Sequence, residues 1–130
     1  SAYFGEQDNE LLRILRSSRT AVILIAIMAT FTAPIVEELI YRGILYSAFQ
    51  RTFGVKLAVI LVTLAFALVH VPQYWGDFVS ISMICLLSLI LTLVRVKTDN
   101  LLPCIVLHFV FNGIQSLVLI LEPYFSKTPQ

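Results

Sequence analysis

Three short polar motifs lie within long apolar segments of this chain. The first contains Glu37, Glu38 and Arg42, the second ends at His70, and the third begins at His108. An ionisable side chain in a membrane-spanning helix costs about 2.5–3.5 kcal/mol on insertion scales, so such residues face the bundle interior or a wet cavity. We therefore expect the three motifs to converge on one polar site.

The spacing within the motifs places their polar groups on single helix faces. Glu38 and Arg42 are four residues apart, so they share one face and can form an ion pair. His108 and Asn112 have the same spacing and present two hydrogen-bonding groups along one stripe. Burying each stripe separately against lipid would be costly, which favours an arrangement that brings the stripes together.

These residue types suit the hydrolysis of an amide bond by an activated water. A carboxylate and a histidine in a dry pocket can together remove a proton from water. Pairing of Glu38 with Arg42 leaves Glu37 free as the base. A second histidine and an asparagine amide can donate hydrogen bonds to a developing oxyanion. Neither a Ser-His-Asp nor a Cys-His nucleophile pattern is apparent.

The same atoms also permit a metal site. Two histidines and one glutamate with an open water position form a known catalytic zinc ligand set, which here would be Glu37, His70 and His108. The His-Glu-x-x-His helix of common zinc proteases is absent. A network that only joins helices is the structural alternative, although interhelical polar contacts average about 0.6 kcal/mol.

The elements that must position the motifs are apolar helices. Hydrophobic residues make up 58% of the chain and charged residues 13%, against about 25% charged residues in a typical soluble domain. A bilayer covers such a surface, and helices satisfy their own backbone there. We therefore predict an all-α, polytopic transmembrane bundle of about four spans. No basic cluster interleaved with aromatic residues indicates nucleic-acid binding.

Polar loops separate the predicted parts of the chain. The predicted spans cover residues 20–36, 57–71, 78–94 and 101–121. An amphipathic helix is predicted in the membrane interface at residues 8–19. The predicted organisation is a polar N-terminal segment, a membrane-embedded core and a polar tail, at residues 1–19, 20–122 and 123–130.

The topology around the first motif has two solutions. Pro34 is expected to kink or break the first span, and residues 37–50 are expected to form a broken or re-entrant helix. A re-entry within residues 20–50 would place most cationic residues on one side, as the positive-inside rule requires. However, the residues of Glu37–Gln50 are mostly good helix formers, so a single kinked crossing stays open.

The ordered motifs resemble those of the CPBP family, the CAAX proteases and bacteriocin-processing enzymes, also called the Abi family. The family patterns EExxxR, FxxxH and HxxxN/D are similar to the runs that begin at Glu37, Phe66 and His108. The resemblance covers about residues 31–121. It implies an intramembrane endopeptidase that cuts peptides or prenylated C-termini near the bilayer. Tyr41 stands where many members have Phe, which is a mild departure.

The resemblance also implies roles for the motif residues. Glu37 and His70 would activate the water, and His108 and Asn112 would stabilise the oxyanion. A supporting pair would shape and orient the site, namely Glu38 and Arg42. The resemblance does not decide between a zinc enzyme and a glutamate-dependent hydrolase.

Two further hypotheses follow from the chain's length and span count. Family members commonly carry more spans before the first motif, so the chain could be a non-proteolytic subunit that serves as a structural component of a larger membrane protein complex. A proton relay through Glu37 and His70 is disfavoured because four spans lack an internal repeat. We expect a multi-pass protein of the bacterial inner membrane. Its expected partners are the lipid bilayer, a peptide or prenylated-protein substrate, and a larger complex.

Overall fold

A computed structural model describes residue 13 and residues 17–126 of the chain. In residues 19–126 four helices, named α1 to α4 here, follow one another, and the described residues contain no strand. The helices span Arg19–Phe53, Val55–His70, Phe78–Thr98 and Leu102–Phe125. The predicted interfacial helix at 8–19 lies largely outside the described residues, as does the end of the predicted tail.

The helices form a membrane bundle, as predicted. Three of them, α1, α3 and α4, are long and apolar enough to cross a bilayer, whereas α2 has only 16 residues. Large apolar side chains point outward, with Ile44 67% and Leu68 65% exposed, while Glu38 and Arg42 are fully buried. Lipid covers such an apolar exterior. The chain is therefore an integral membrane protein with a polar interior.

Helix α1 continues through residues 37–50 without a break. Instead of the predicted interruption, α1 contains two π-helical segments. These segments are Met28–Thr32 and Leu39–Leu45. In a π segment each backbone N–H bonds to the carbonyl five residues earlier, one residue farther than in an α-helix. The first segment lies immediately before the turn that contains Pro34. A change of hydrogen-bond register thus accommodates the proline within the helix.

Local side chains and one glycine define the helix ends. Ser18 accepts a hydrogen bond from the backbone of Ala21 before α1, and Asp77 accepts one from Ser80 before α3. Such N-caps satisfy donors that the first helical turn leaves free. Gly54 separates α1 from α2 with a φ of +81°, a conformation that costs glycine little because it lacks a Cβ.

The described residues form two compact units. The first contains the residues up to Ala33 together with those from Val110 onward, and the second is Pro34–Phe109. Within the second unit, a small apolar core joins α1 to α2, with the buried residues Tyr46, Ala58 and Val62 at its centre. The predicted boundaries of the membrane-embedded core stay a prediction.

Candidate active site

Glu38 and Arg42 form a fully buried ion pair on α1. Nη1 of Arg42 donates to Oε1 of Glu38 across 3.0 Å, and neither side chain is exposed. The predicted pair is therefore present. Taking two charges out of water costs several kcal/mol per ion unless further hydrogen bonds compensate. The neighbouring helices supply those bonds.

His108 of α4 bonds to the same carboxylate oxygen. Its Nδ1 lies 2.7 Å from Oε1 of Glu38, and the ring is buried. Because an ionised carboxylate only accepts hydrogen bonds, this contact places a hydrogen on Nδ1. Glu38 thereby sets both the orientation of the ring and the protonated nitrogen.

The other nitrogen of this ring faces Glu37. Nε2 of His108 lies 3.6 Å from Oε2 of Glu37, whose side chain is 28% exposed. That distance exceeds a direct hydrogen bond but permits one water to contact both atoms. Of the two adjacent carboxylates, Glu38 is buried and already hydrogen-bonded to Arg42 and His108, while Glu37 is accessible.

Phe66 brings His70 of α2 to the same cluster. Its ring centroid lies 4.6 Å from that of His70 and 6.0 Å from that of His108. The guanidinium carbon of Arg42 stands 4.7 Å from the same centroid, within the range of a cation–π contact. Nδ1 of His70 lies 2.7 Å from the carbonyl of Phe66 and donates to it, which leaves Nε2 for chemistry. Within the second unit, the ring of Phe66 thus contacts Arg42, His70 and His108.

Ser88 and Thr92 of α3 complete the surroundings of Arg42. Both are fully buried, and each hydroxyl accepts a hydrogen bond from the guanidinium. Sequence reasoning missed these residues. Their only signal was a pair of hydroxyl residues four positions apart within an apolar span.

Asn112 belongs to the first unit, where it caps a backbone carbonyl. Its Nδ2 donates to the carbonyl of Ala29 across 2.9 Å. The N–H of Ala33 bonds to Met28, five residues earlier, and Pro34 has no N–H to offer Ala29. Asn112 therefore satisfies a carbonyl that the proline and the π register leave free. Its role toward an oxyanion stays a prediction.

Arg95 of α3 has a corresponding contact at the second π segment. The N–H of Tyr46 bonds to Tyr41, five residues earlier, and is not available to Arg42. Nε of Arg95 instead donates to the carbonyl of Arg42 across 3.2 Å, while its Nη1 pairs with Asp99. Each π segment of α1 thus ends beside a carbonyl that accepts a side-chain donor.

The described part of the chain contains no assembled set of three metal ligands. Three ligands must converge to hold a catalytic zinc. Among the described residues, no group of three or more histidine, cysteine, aspartate or glutamate side chains is placed to do so. The zinc ligands predicted from the sequence, Glu37, His70 and His108, stay a prediction.

Buried charged and imidazole groups inside an apolar helical bundle define an integral membrane protein with an interior polar site. Within that class, the chain belongs to the family described as type II CAAX prenyl endopeptidase Rce1-like, whose family model matches residues 19–114. The match confirms the predicted CPBP relationship and indicates CAAX-type intramembrane protease activity, with a peptide substrate met at the lipid bilayer. Searches of curated proteins and of solved structures each found no significant match to the chain.

Proposed function

We propose that the protein is an intramembrane endopeptidase that hydrolyses a peptide bond in a membrane-proximal substrate, with CAAX-type prenylated C-termini as the substrate class. Family membership supports the substrate class. The observation that carries the proposal is the position of His108 between two carboxylates. Its Nδ1 contacts Glu38 at 2.7 Å, and its Nε2 lies 3.6 Å from Glu37.

Glu37 is the proposed general base. Its carboxylate is accessible to water, whereas Oε1 of Glu38 already accepts hydrogen bonds from Arg42 and His108. Glu37 removes a proton from a water molecule, and the water oxygen attacks the scissile carbonyl carbon. The same proton then passes from Glu37 to the leaving amine as the carbon–nitrogen bond breaks. The products are a carboxylic acid and an amine, and the second proton of the water then passes from the acid to the amine to give a carboxylate and an ammonium group.

The two histidines have separate proposed roles. His70 assists Glu37 by accepting a hydrogen bond from the water at Nε2, because its Nδ1 donates to the backbone. His108 donates from Nε2 to the oxyanion that forms on the attacked carbonyl. A ring that donates from both nitrogens is positively charged, and Glu37 and Glu38 compensate that charge. Asn112 is the proposed second oxyanion donor.

Peptide cleavage by the reconstituted protein tests this function. The purified chain is placed in liposomes with a peptide that ends in a farnesylated CAAX sequence, and mass spectrometry detects release of the residues after the cysteine. The same peptide without the farnesyl group is the control substrate. We expect cleavage of the prenylated peptide, and a loss of about 100-fold or more in His70→Gln.

Two outcomes contradict parts of the proposal. Wild-type turnover by His70→Gln would remove His70 from the mechanism. A folded, inserted wild-type protein that cleaves neither peptide would contradict the endopeptidase proposal and favour a structural subunit of a larger membrane complex.

A further inference from the structure

Two hydroxyl residues of α3 hold the guanidinium of Arg42 in one orientation. Nη2 of Arg42 donates to the Oγ of Ser88 across 2.8 Å and to its carbonyl across 2.9 Å. Nε of Arg42 donates to Oγ1 of Thr92 across 3.4 Å. Together with the bond from Nη1 to Glu38, every nitrogen of the guanidinium has an acceptor. Rotation of the group would break several of these bonds at once.

A hydrogen bond between Ser88 and Thr92 also determines which of their groups can accept hydrogen bonds from Arg42. Oγ1 of Thr92 donates its hydrogen to the carbonyl of Ser88 across 2.7 Å. Since a hydroxyl has a single hydrogen, only the lone pairs of Thr92 remain for Arg42. The pair therefore presents acceptors toward Arg42, which a guanidinium with five donors and no acceptor requires.

Arg42 and His108 bond to the same oxygen atom of Glu38, so the orientation of Arg42 affects that of His108. Oε1 of Glu38 accepts from both Arg42 and His108, while Oε2 is buried and has no hydrogen-bond partner among the described residues. Both donors therefore converge on the same side of the carboxylate. A shift of Arg42 would allow the carboxylate of Glu38 to turn, and the hydrogen on Nδ1 of His108 would lose its defined acceptor.

We propose that Ser88 and Thr92 are positioning residues that act through Arg42 and Glu38 to keep the hydrogen of His108 on Nδ1 and its Nε2 directed at Glu37. The kinetic part of this inference rests on the proposed endopeptidase function. The part about the hydrogen on Nδ1 rests only on the hydrogen-bond geometry.

The test compares two pairs of substitutions on the same helix. Ser88→Ala with Thr92→Val removes the two buried hydroxyls. Ser82→Ala with Thr98→Val makes the same chemical changes at exposed positions, where each hydroxyl donates to backbone carbonyls two or four residues away in the chain. We expect the buried pair to lower kcat about 10- to 100-fold, the scale of a small misplacement of catalytic groups, with little change in KM. The exposed pair should leave both constants unchanged.

Nitrogen-15 spectra of selectively labelled histidine provide a readout that does not require activity. The chain has two histidines, and a His70→Gln sample assigns the signals of His108. In the wild type we expect a protonated Nδ1 in one fixed hydrogen bond, and in Ser88→Ala with Thr92→Val we expect exchange broadening of that Nδ1 signal. Single substitutions cover the case in which the double variant does not fold. Thr92→Ser should retain the wild-type Nδ1 signal, and Thr92→Val should not.

Wild-type spectra and wild-type kcat in the buried-hydroxyl variants would overturn the inference. Absence of cleavage by the wild type would overturn the proposed function instead. In that case the histidine spectra would still decide whether Ser88 and Thr92 control the ring of His108.

Discussion

Oε1 of Glu38 and Nδ1 of His108 lie 2.7 Å apart, although their residues are 70 positions apart in the chain. The contact joins α1 to α4 inside a bundle whose exterior is apolar. A hydrogen bond to an ionised group is roughly twice as strong as a neutral one. This bond occupies Glu38 and directs the other ring nitrogen at Glu37. Of two adjacent carboxylates, one is therefore enclosed and hydrogen-bonded, and the other, the proposed base, is accessible.

Replacing one residue of the buried ion pair should destabilise the protein strongly. Glu38→Ala or Arg42→Ala leaves a buried charge without its partner, which costs about 3–5 kcal/mol. The double variant Glu38→Leu with Arg42→Met should lose less than the sum of the two single losses, as measured by unfolding in mixed micelles. Additive losses would contradict the buried-pair interpretation.

The second ion pair on α3 is the matched control for this measurement. Arg95 and Asp99 have the same four-residue spacing, but the Asp99 side chain is 94% exposed. Exposed pairs contribute about 0–1 kcal/mol. We therefore expect Asp99→Ala to change the free energy of unfolding far less than Glu38→Ala.

The carbonyl of Ala29 predicts a coupling between Asn112 and Pro34. Asn112→Ala should cost about 1–3 kcal/mol because it leaves that carbonyl without a donor. Pro34→Ala provides a backbone N–H that can bond to it, so Asn112→Ala should cost less in that background. A double-mutant cycle measures the difference. Equal costs in both backgrounds would show that Asn112 does not act on a carbonyl freed by the proline.

The N-cap of α3 should make stability depend on acidic pH. Hydrogen bonds from the side chain and backbone of Ser80 lower the pKa of Asp77 below its ordinary value. A carboxyl whose pKa is lowered by folding contributes stability that is complete above its unfolded pKa, about 3.9, and is lost as the pH falls through the folded pKa.

Asp77→Asn keeps a capping side chain but removes the titration. Thermal unfolding midpoints between pH 7 and pH 3 should therefore fall more steeply in the wild type than in Asp77→Asn, with the two curves separating below about pH 4. Parallel curves over that range would show that the Asp77 carboxylate contributes no pH-dependent stability.

Much of the site follows from the sequence because ionisable residues in apolar spans are few. Their burial cost requires them to meet, and the four-residue spacing of Glu38 and Arg42 already predicts their ion pair. Hydropathy also predicts the helical membrane bundle. The individual hydrogen bonds could not be predicted in this way. The packing of α4 against α1 determines whether Glu37 or Glu38 contacts His108, and which ring nitrogen makes the contact.

The contribution of α3 could not be predicted for a physical reason. Serine and threonine in apolar helices commonly bond to a carbonyl of the preceding turn, and Ser82 and Thr98 do so on this helix. The sequence does not distinguish them from Ser88 and Thr92, which face Arg42. The π segments could not be predicted from the sequence either, because a one-residue change of hydrogen-bond register alters neither composition nor hydropathy.

Cleavage of the prenylated peptide by a Glu37→Gln variant tests the central claim most directly. Glutamine retains the size of the side chain but cannot remove a proton from water. Glu122→Gln, at an exposed position on α4, makes the same change away from the site. With insertion and folding verified, the account predicts a loss of about 100-fold or more in Glu37→Gln and wild-type turnover in Glu122→Gln. Wild-type turnover by Glu37→Gln would contradict the account.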